Sequence, residues 1–99
     1  MSKLKLIITE EAYADLNSIS DFIAKDNIDA AKNLIKDLFD LCNTLTEFPN
    51  LGVIKDAIKD KTVKIYIHNK QYLIAYRVEN DKLVVFKITS RYQNIYKLL

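Results

Sequence analysis

Basic and aromatic side chains alternate with apolar ones along the strand-like runs in the second half of this 99-residue chain. Where Val63, Ile65 and Ile67 point to a core, the side chains between them must point the other way. Fixed cations beside an aromatic platform suit a phosphate backbone and a stacked base, and arginine adds a planar fork for phosphate. The residues predicted to share one open sheet face, as a nucleic-acid or target-binding surface, are Lys64, Tyr66, His68, Arg77, Lys87 and Arg91.

The charge distribution along the chain indicates an acidic partner for this half. Residues 1–50 hold five Lys or Arg and nine Asp or Glu, a net charge of −4, whereas residues 51–99 hold ten and four, a net charge of +6. Such asymmetry is typical of proteins that bind nucleic acid or another acidic partner. Two other interpretations stay open: a protein-binding face, and an ordinary solvated face on which strand lysines discourage aggregation.

The residue types give little support to other chemistry. His68 is the only histidine, which is either an acid–base group near neutral pH or a turn residue at a strand end. One cysteine and one histidine cannot complete a zinc site, and one glycine cannot build a phosphate-binding loop. Cys42 lies on an apolar helix stripe and is predicted to be core. We therefore expect no metal and no cofactor.

Hydrophobic periodicity predicts the elements that position these side chains. Alternation over residues 3–8 predicts a half-buried strand, and Thr9 then caps a helix that ends near Lys25. Asn27 caps a second helix, whose apolar stripe over residues 31–45 recurs at helical spacing. Because the break between the helices is short, they are expected to pair as an antiparallel hairpin.

Three strand-like runs follow a turn and a charged, irregular segment. The turn covers residues 48–52, the irregular segment 53–62, and the strands 63–67, 72–78 and 83–90. Short polar connections predict hairpins between these strands, and the apolar spacing of residues 91–99 suits a short closing helix. The predicted fold class is α+β, with the order β-α-α-β-β-β, a mostly antiparallel four-stranded sheet, and the helical hairpin packed on one face.

Length and composition predict one domain over residues 1–99, large enough for a modest core. A chain that is 49% hydrophobic and 28% charged is typical of globular proteins. No apolar run approaches the roughly 20 residues of a membrane span, and the N-terminus does not have the pattern of a signal peptide. A lone cysteine excludes an internal disulfide. These features indicate a cytoplasmic protein.

Several local motifs, in a fixed order over nearly the whole chain, carry a resemblance to a known family. The most specific is the run YLIAYRV at residues 72–78. The others are Ala14-Asp15-Leu16 in the first helix, Leu34-Ile35 in the second, Phe48-Pro49-x-x-Gly52 after it, and Ser90-Arg91-Tyr92 after the last strand. By these motifs the sequence resembles the RelE/ParE superfamily, the toxin components of bacterial type II toxin–antitoxin systems.

The resemblance implies a toxin, and the family divides by target. RelE-like members cut messenger RNA on the ribosome with basic and aromatic or histidine residues, whereas ParE-like members inhibit DNA gyrase and lack that catalytic set. The position that often carries a catalytic arginine is Leu73 here, and the long helical hairpin also resembles ParE-like members. The resemblance therefore implies a ParE-like growth inhibitor of a plasmid-stabilisation or stress system. Its implied partner is an acidic, amphipathic antitoxin that wraps the basic sheet and the helices and folds on binding.

Two alternatives to gyrase inhibition are also compatible with the sequence. The first is a ribosome-dependent endoribonuclease, in which Arg91 and Tyr92 form the catalytic pair and Lys64 and Lys87 supply positive charge to the phosphorane. The second is a degenerate toxin that only binds its antitoxin.

Overall fold

The helices and strands follow the predicted order. The computed structural model describes residues 3–90 and Leu99. The elements are β1 (Lys5–Ile8), α1 (Glu10–Ala24), α2 (Ile28–Glu47), β2 (Lys64–His68), β3 (Tyr72–Glu79) and β4 (Lys82–Thr89), with a 3-10 turn at Pro49–Leu51. The closing helix predicted for the tail lies outside the described residues.

The four strands form one sheet in the order β1-β4-β3-β2. β2 pairs antiparallel with β3, and β3 pairs antiparallel with β4, whereas β1 lies parallel to β4. A parallel pair needs a long crossover, which the helical hairpin provides between β1 and the rest of the sheet. The predicted α+β fold with a mostly antiparallel four-stranded sheet is therefore confirmed.

Both helices begin at the predicted capping residues. The Thr9 hydroxyl accepts a hydrogen bond from the Ala12 N–H at 3.2 Å, and the Asn27 side chain accepts one from the Ala30 N–H at 3.0 Å. Each bond satisfies a backbone donor that a helix start leaves unpaired. The helices pack as the predicted hairpin. Neither helix of the described chain is long and apolar enough to span a membrane.

The apolar stripes of both helices pack on one face of the sheet. Leu16 of α1 and Leu38, Cys42 and Leu45 of α2 are buried there. The strand residues of this helix-side core are Tyr72, Ile74, Tyr76, Leu83, Val85 and Ile88, with Leu4, Leu6 and Ile8 at its rim. The predicted packing of the hairpin on one face, and the burial of Cys42, are confirmed.

The opposite face of the sheet, the reverse face, is also covered, so the prediction of an open face is wrong. Ile58 and Val63, on the connection between the 3-10 turn and β2, are each 1% exposed. They pack against Leu73 and Ala75 of β3, and the reverse-face cluster is completed by Ile65, with Ile67, Phe86 and Leu99 partly buried. A central strand that is apolar on both sides needs cover on both faces. The segment predicted to be irregular supplies that cover.

A bulge in β4 changes which of its side chains face the helices. Ala75 lies opposite Lys87, but the next residue of β3, Tyr76, lies opposite Val85. Phe86 is therefore an additional residue in β4, and its ring packs on the reverse face. Strict alternation cannot hold across such a residue.

The face assignments of two strands are consequently corrected. Alternation with Lys87 places Leu83 and Val85 on the predicted open face, but both are completely buried in the helix-side core. Ile65, predicted to face the helices, lies in the reverse-face cluster, whereas Tyr66 packs against the helix-side core. Because both faces of the sheet carry apolar residues, periodicity predicts two faces for each strand without identifying which one the helices cover.

Candidate functional site

The structure does not bring the five predicted site residues that it describes onto one surface. Lys64, Tyr66 and His68 lie on the helix side of β2, since each is paired with a β3 residue of the helix-side core. Arg77 lies on the reverse face, and Lys87 reaches α1. The prediction of a shared open face is therefore wrong. The side chains of β2 point to the faces opposite to those predicted, and the bulge in β4 interrupts its alternation. That each residue contacts a target stays a prediction.

Arg77 is held by groups of its own chain. Its guanidinium carbon lies 5.0 Å from the centre of the Phe86 ring, a cation–π distance. Its nitrogens lie 3.5 Å from Asp60 Oδ2 and 2.9 Å from Glu79 Oε1. Hydrogen bonds from Thr62, and then the charge of Arg77, hold the pKa of Asp60 below its usual value. This arginine is thus part of the packing between the reverse face and the segment that covers it.

Lys87 follows the β4 bulge and pairs with a carboxylate of α1. Its Nζ lies 3.3 Å from Asp15 Oδ1, while Asp15 Oδ2 accepts a hydrogen bond from the Ile88 N–H at 3.0 Å. The side chains of Asp15 and Lys87 are only 18% and 25% exposed. One carboxylate therefore joins α1 to the bulged strand through both its oxygens, and it neutralises the lysine that was predicted to meet a phosphate.

The other predicted groups on β2 also have partners within the chain. Lys64 Nζ lies 2.6 Å from Asn50 Oδ1 and 3.5 Å from the Pro49 carbonyl oxygen. His68 Nε2 lies 3.3 Å from Asn69 Nδ2 in the turn that follows β2. Both side chains support the turns next to them.

Nucleic-acid cleavage would require a proton acceptor, a proton donor and a cation close together. Among residues 3–90 and 99, the candidate cations are spread over separate parts of the sheet, and no group of three His, Cys, Asp or Glu could hold a metal ion. Burial raises the pKa of Cys42 to about 11, so its thiol stays protonated at neutral pH. The predicted catalytic residues Arg91 and Tyr92 lie outside the described residues.

A cleft of about 290 Å³ lies between α1 and the ends of β3 and β4. Asp15, Ser18 and Phe22 project into it from one line of α1, since they are spaced three and four residues apart. Its other wall is formed by Gln71, Tyr72, Ile88, Thr89 and Ser90, and Ile19 and Ile23 complete it. Sequence reasoning missed this cleft because its two walls are at least 48 residues apart in the chain.

A second feature missed from the sequence is the apolar surface of residues 48–54, hereafter the 48–54 segment. Phe48, Leu51, Val53 and Ile54 are 58%, 48%, 50% and 51% exposed. From the inside, the buried Tyr76 hydroxyl donates to the Pro49 carbonyl at 2.6 Å and accepts from the Gly52 N–H at 2.8 Å. The signal was present in the sequence, since FPNLGVI places four large apolar residues in a turn.

Replacing Asp15 by alanine is expected to lower the free energy of unfolding by about 2 kcal/mol. The substitution leaves the Ile88 N–H and the Lys87 ammonium without their partner in a largely buried setting. Urea unfolding monitored by circular dichroism measures the change. The matched control is Asp40→Ala, which breaks the exposed Lys36–Asp40 pair and should not move the midpoint resolvably. Equal shifts for the two variants would contradict a structural role for Asp15.

Comparison with known families places this fold among bacterial toxins. The family model described as the ParE toxin of type II toxin–antitoxin system, parDE, matches residues 6–95. No curated protein matches the chain.

Solved structures are similar in fold. A chromosomal ParDE toxin–antitoxin system from P. aeruginosa aligns with a TM-score of 0.73 at 19% identity, covering 89% of this chain and 96% of that one. The toxin–antitoxin complex RelBE2 from Mycobacterium tuberculosis aligns with a TM-score of 0.71 at 13% identity, covering 91% and 100%. A conserved hypothetical protein from Helicobacter pylori gives 0.54 at 18% identity, covering 91% and 97%.

Proposed function

Because the chain belongs to the ParE toxin family of type II toxin–antitoxin systems, we propose that it inhibits growth by acting on DNA gyrase in the cytoplasm and is neutralised by a cognate antitoxin. The family and its toxin role follow from the match over residues 6–95. The gyrase target, the location and the identity of the antitoxin are the proposed part.

The observation that supports gyrase over messenger RNA is the closed reverse face. Leu73, at the position where RNA-cutting relatives often carry an arginine, is 0% exposed beneath Ile58 and Val63. A strand whose outward positions are buried offers RNA no surface at those positions. The cations around it, Arg77 and Lys87, are neutralised by carboxylates of the same chain.

The endoribonuclease alternative depends on Arg91 and Tyr92, since Lys64 and Lys87 are engaged elsewhere. Inducible expression with three simultaneous readouts separates the targets. Gyrase inhibition predicts a DNA-damage response in cells and loss of supercoiling activity when purified protein is added to purified gyrase. Ribosome-dependent cleavage predicts a translation block with cuts in ribosome-bound messages. Absence of toxicity in every readout would support the degenerate alternative and overturn the proposal.

Tyr92→Phe is expected to leave growth arrest unchanged. The substitution removes only a hydroxyl, which a non-catalytic inhibitor does not require for proton transfer. An RNase using Tyr92 as its acid or base would instead lose about 10²- to 10⁴-fold in cleavage rate. Growth curves after induction measure the effect, with a matching unfolding midpoint as the control. Loss of arrest in Tyr92→Phe and in Arg91→Ala, with both proteins folded, would overturn the gyrase proposal.

A further inference from the structure

The 48–54 segment displays apolar side chains although it is firmly held. Phe48, Leu51, Val53 and Ile54 each expose about half of their surface to water. Monomeric proteins rarely leave contiguous large apolar side chains exposed, and such surfaces mark sites of interaction. Four of them within seven residues of chain therefore indicate an interaction surface.

Contacts on the inner side of the segment hold it in one conformation. Tyr76 bonds both Pro49 and Gly52. Val53 exchanges two backbone hydrogen bonds with Ile65 of β2, at 2.9 and 2.8 Å. The exposure is thus a property of a fixed surface and not of a frayed loop. A surface that is already ordered loses little conformational entropy on binding, which favours affinity.

The neighbouring edge of β2 offers backbone groups to the same partner. Because Ile65 bonds outward to Val53, the backbone groups of Ile67, two residues on, also point away from β3. Val53 forms an isolated bridge, and no described residue continues the pairing to Ile67. An extended segment could add there as a short strand and contact the apolar residues with alternate side chains.

The charge around this edge selects an acidic partner. The connection from the 48–54 segment to β2, together with the first residue of β2, carries four lysines and two aspartates, and one of the aspartates, Asp60, is already paired with Arg77. The lysines are Lys55, Lys59, Lys61 and Lys64. By contrast, the exposed Phe22 lies on α1, a helix that carries four acidic residues and no basic one. Of these two apolar surfaces, only the first complements an acidic partner.

We propose that the 48–54 segment and the adjoining edge of β2 are the docking surface for an extended, acidic and apolar segment of the antitoxin. The inference rests on the antitoxin partner of the proposed function and is independent of the toxin's target. It also revises the expectation from the sequence, since the antitoxin meets an apolar turn flanked by lysines and not a wide basic sheet face.

The test uses the full-length toxin and the purified product of the adjoining antitoxin reading frame, with affinity measured by isothermal titration calorimetry. Leu51→Asp/Ile54→Asp should weaken binding at least about 30-fold, as expected for loss of a central apolar anchor. The matched control is Phe22→Asp/Ile28→Asp, which places the same charges on the exposed apolar residues of the helical hairpin and should leave the affinity unchanged. Growth arrest without antitoxin should persist in the Leu51/Ile54 variant.

A charge reversal tests the same surface without changing its apolar residues. Lys59→Glu, at an exposed position, should slow association and weaken its dependence on salt, whereas Lys32→Glu on α2 should not. This pair keeps the proposal testable if the double aspartate variant fails to fold.

Each other outcome has a defined meaning. Unchanged affinity in the Leu51/Ile54 variant and in Lys59→Glu would overturn the docking surface. Loss of growth arrest with antitoxin binding intact would assign the surface to the toxin's target, and a change in sedimentation of the free toxin would assign it to a second copy; both overturn the proposal. Absence of binding by the wild-type toxin would overturn the proposal that the adjoining reading frame encodes its antitoxin. Binding without gyrase inhibition would overturn only the proposed target.

Discussion

Replacing Gly52 by alanine is expected to lower the free energy of unfolding by about 3 kcal/mol, because the added methyl group has no room. A Cβ built on Gly52 would lie 2.8 Å from the Cε1 and Cζ atoms of the Tyr76 ring and closer still to its hydroxyl. The backbone itself would tolerate alanine, since φ −75° and ψ 162° are open to any residue. The cost is therefore steric, and it falls on a completely buried tyrosine.

The Tyr76 ring cannot move aside without losing its own bonds. Its hydroxyl is hydrogen-bonded to Pro49 and Gly52 in a site where burial raises the pKa of the phenol. A shift that admits the methyl group would break the bond to the part-buried Pro49 carbonyl and leave the buried Gly52 N–H unpaired, the latter at a cost of about 1–3 kcal/mol. Packing and hydrogen bonding thus oppose the same substitution.

A double-mutant cycle separates these two causes. Tyr76→Phe alone should lower the free energy of unfolding by about 2 kcal/mol, since it removes the hydroxyl that bonds to Pro49 and Gly52. In that background Gly52→Ala should cost at least about 1 kcal/mol less than in the wild type, because the nearest clashing atom is gone. Urea unfolding of all four proteins gives the coupling. Strictly additive losses would show that the hydroxyl is not what excludes a side chain at position 52.

The helical half of the fold was predictable because its signals are local. Thr9 and Asn27 cap their helices through a bond to a residue only three positions away. The apolar stripe of α2 is set by helical spacing alone. The two hairpins follow from short polar connections between β-forming runs. Each of these features is decided within a few residues, which is the range over which sequence patterns act.

The candidate site was not predictable because it depends on which face each strand turns to the helices. Alternation gives two faces for β3, but both are apolar, and only the return of Ile58 and Val63 decides that the reverse face is covered. Likewise, Lys87 pairs with Asp15, which lies 72 residues earlier in the chain. The bulge that precedes Lys87 in β4 has no local sequence pattern that predicts it. Long-range packing, and not residue type, determined where the cations lie.

Leu73→Arg, which introduces the residue that the resemblance to RNA-cutting members implies for this position, is expected to destabilise the protein by about 4 kcal/mol or more. Leu73 is 0% exposed on the central strand β3, packed under Ile58 and Val63. A guanidinium placed there would be buried without a carboxylate designed to meet it, one of the costliest single changes in a core. A loss of this size is a large share of the roughly 5–15 kcal/mol that holds a small domain folded.

The matched control is Val78→Arg, which makes the same change in charge on the same strand at a position that is 39% exposed. It should alter the free energy of unfolding by no more than about 0.5 kcal/mol. Unfolding midpoints and ribosome-dependent cleavage are measured for both variants, with neither expected to cut RNA. A Leu73→Arg protein as stable as the wild type would mean that the segment over the reverse face opens readily. The closed face would then no longer argue against an RNA substrate.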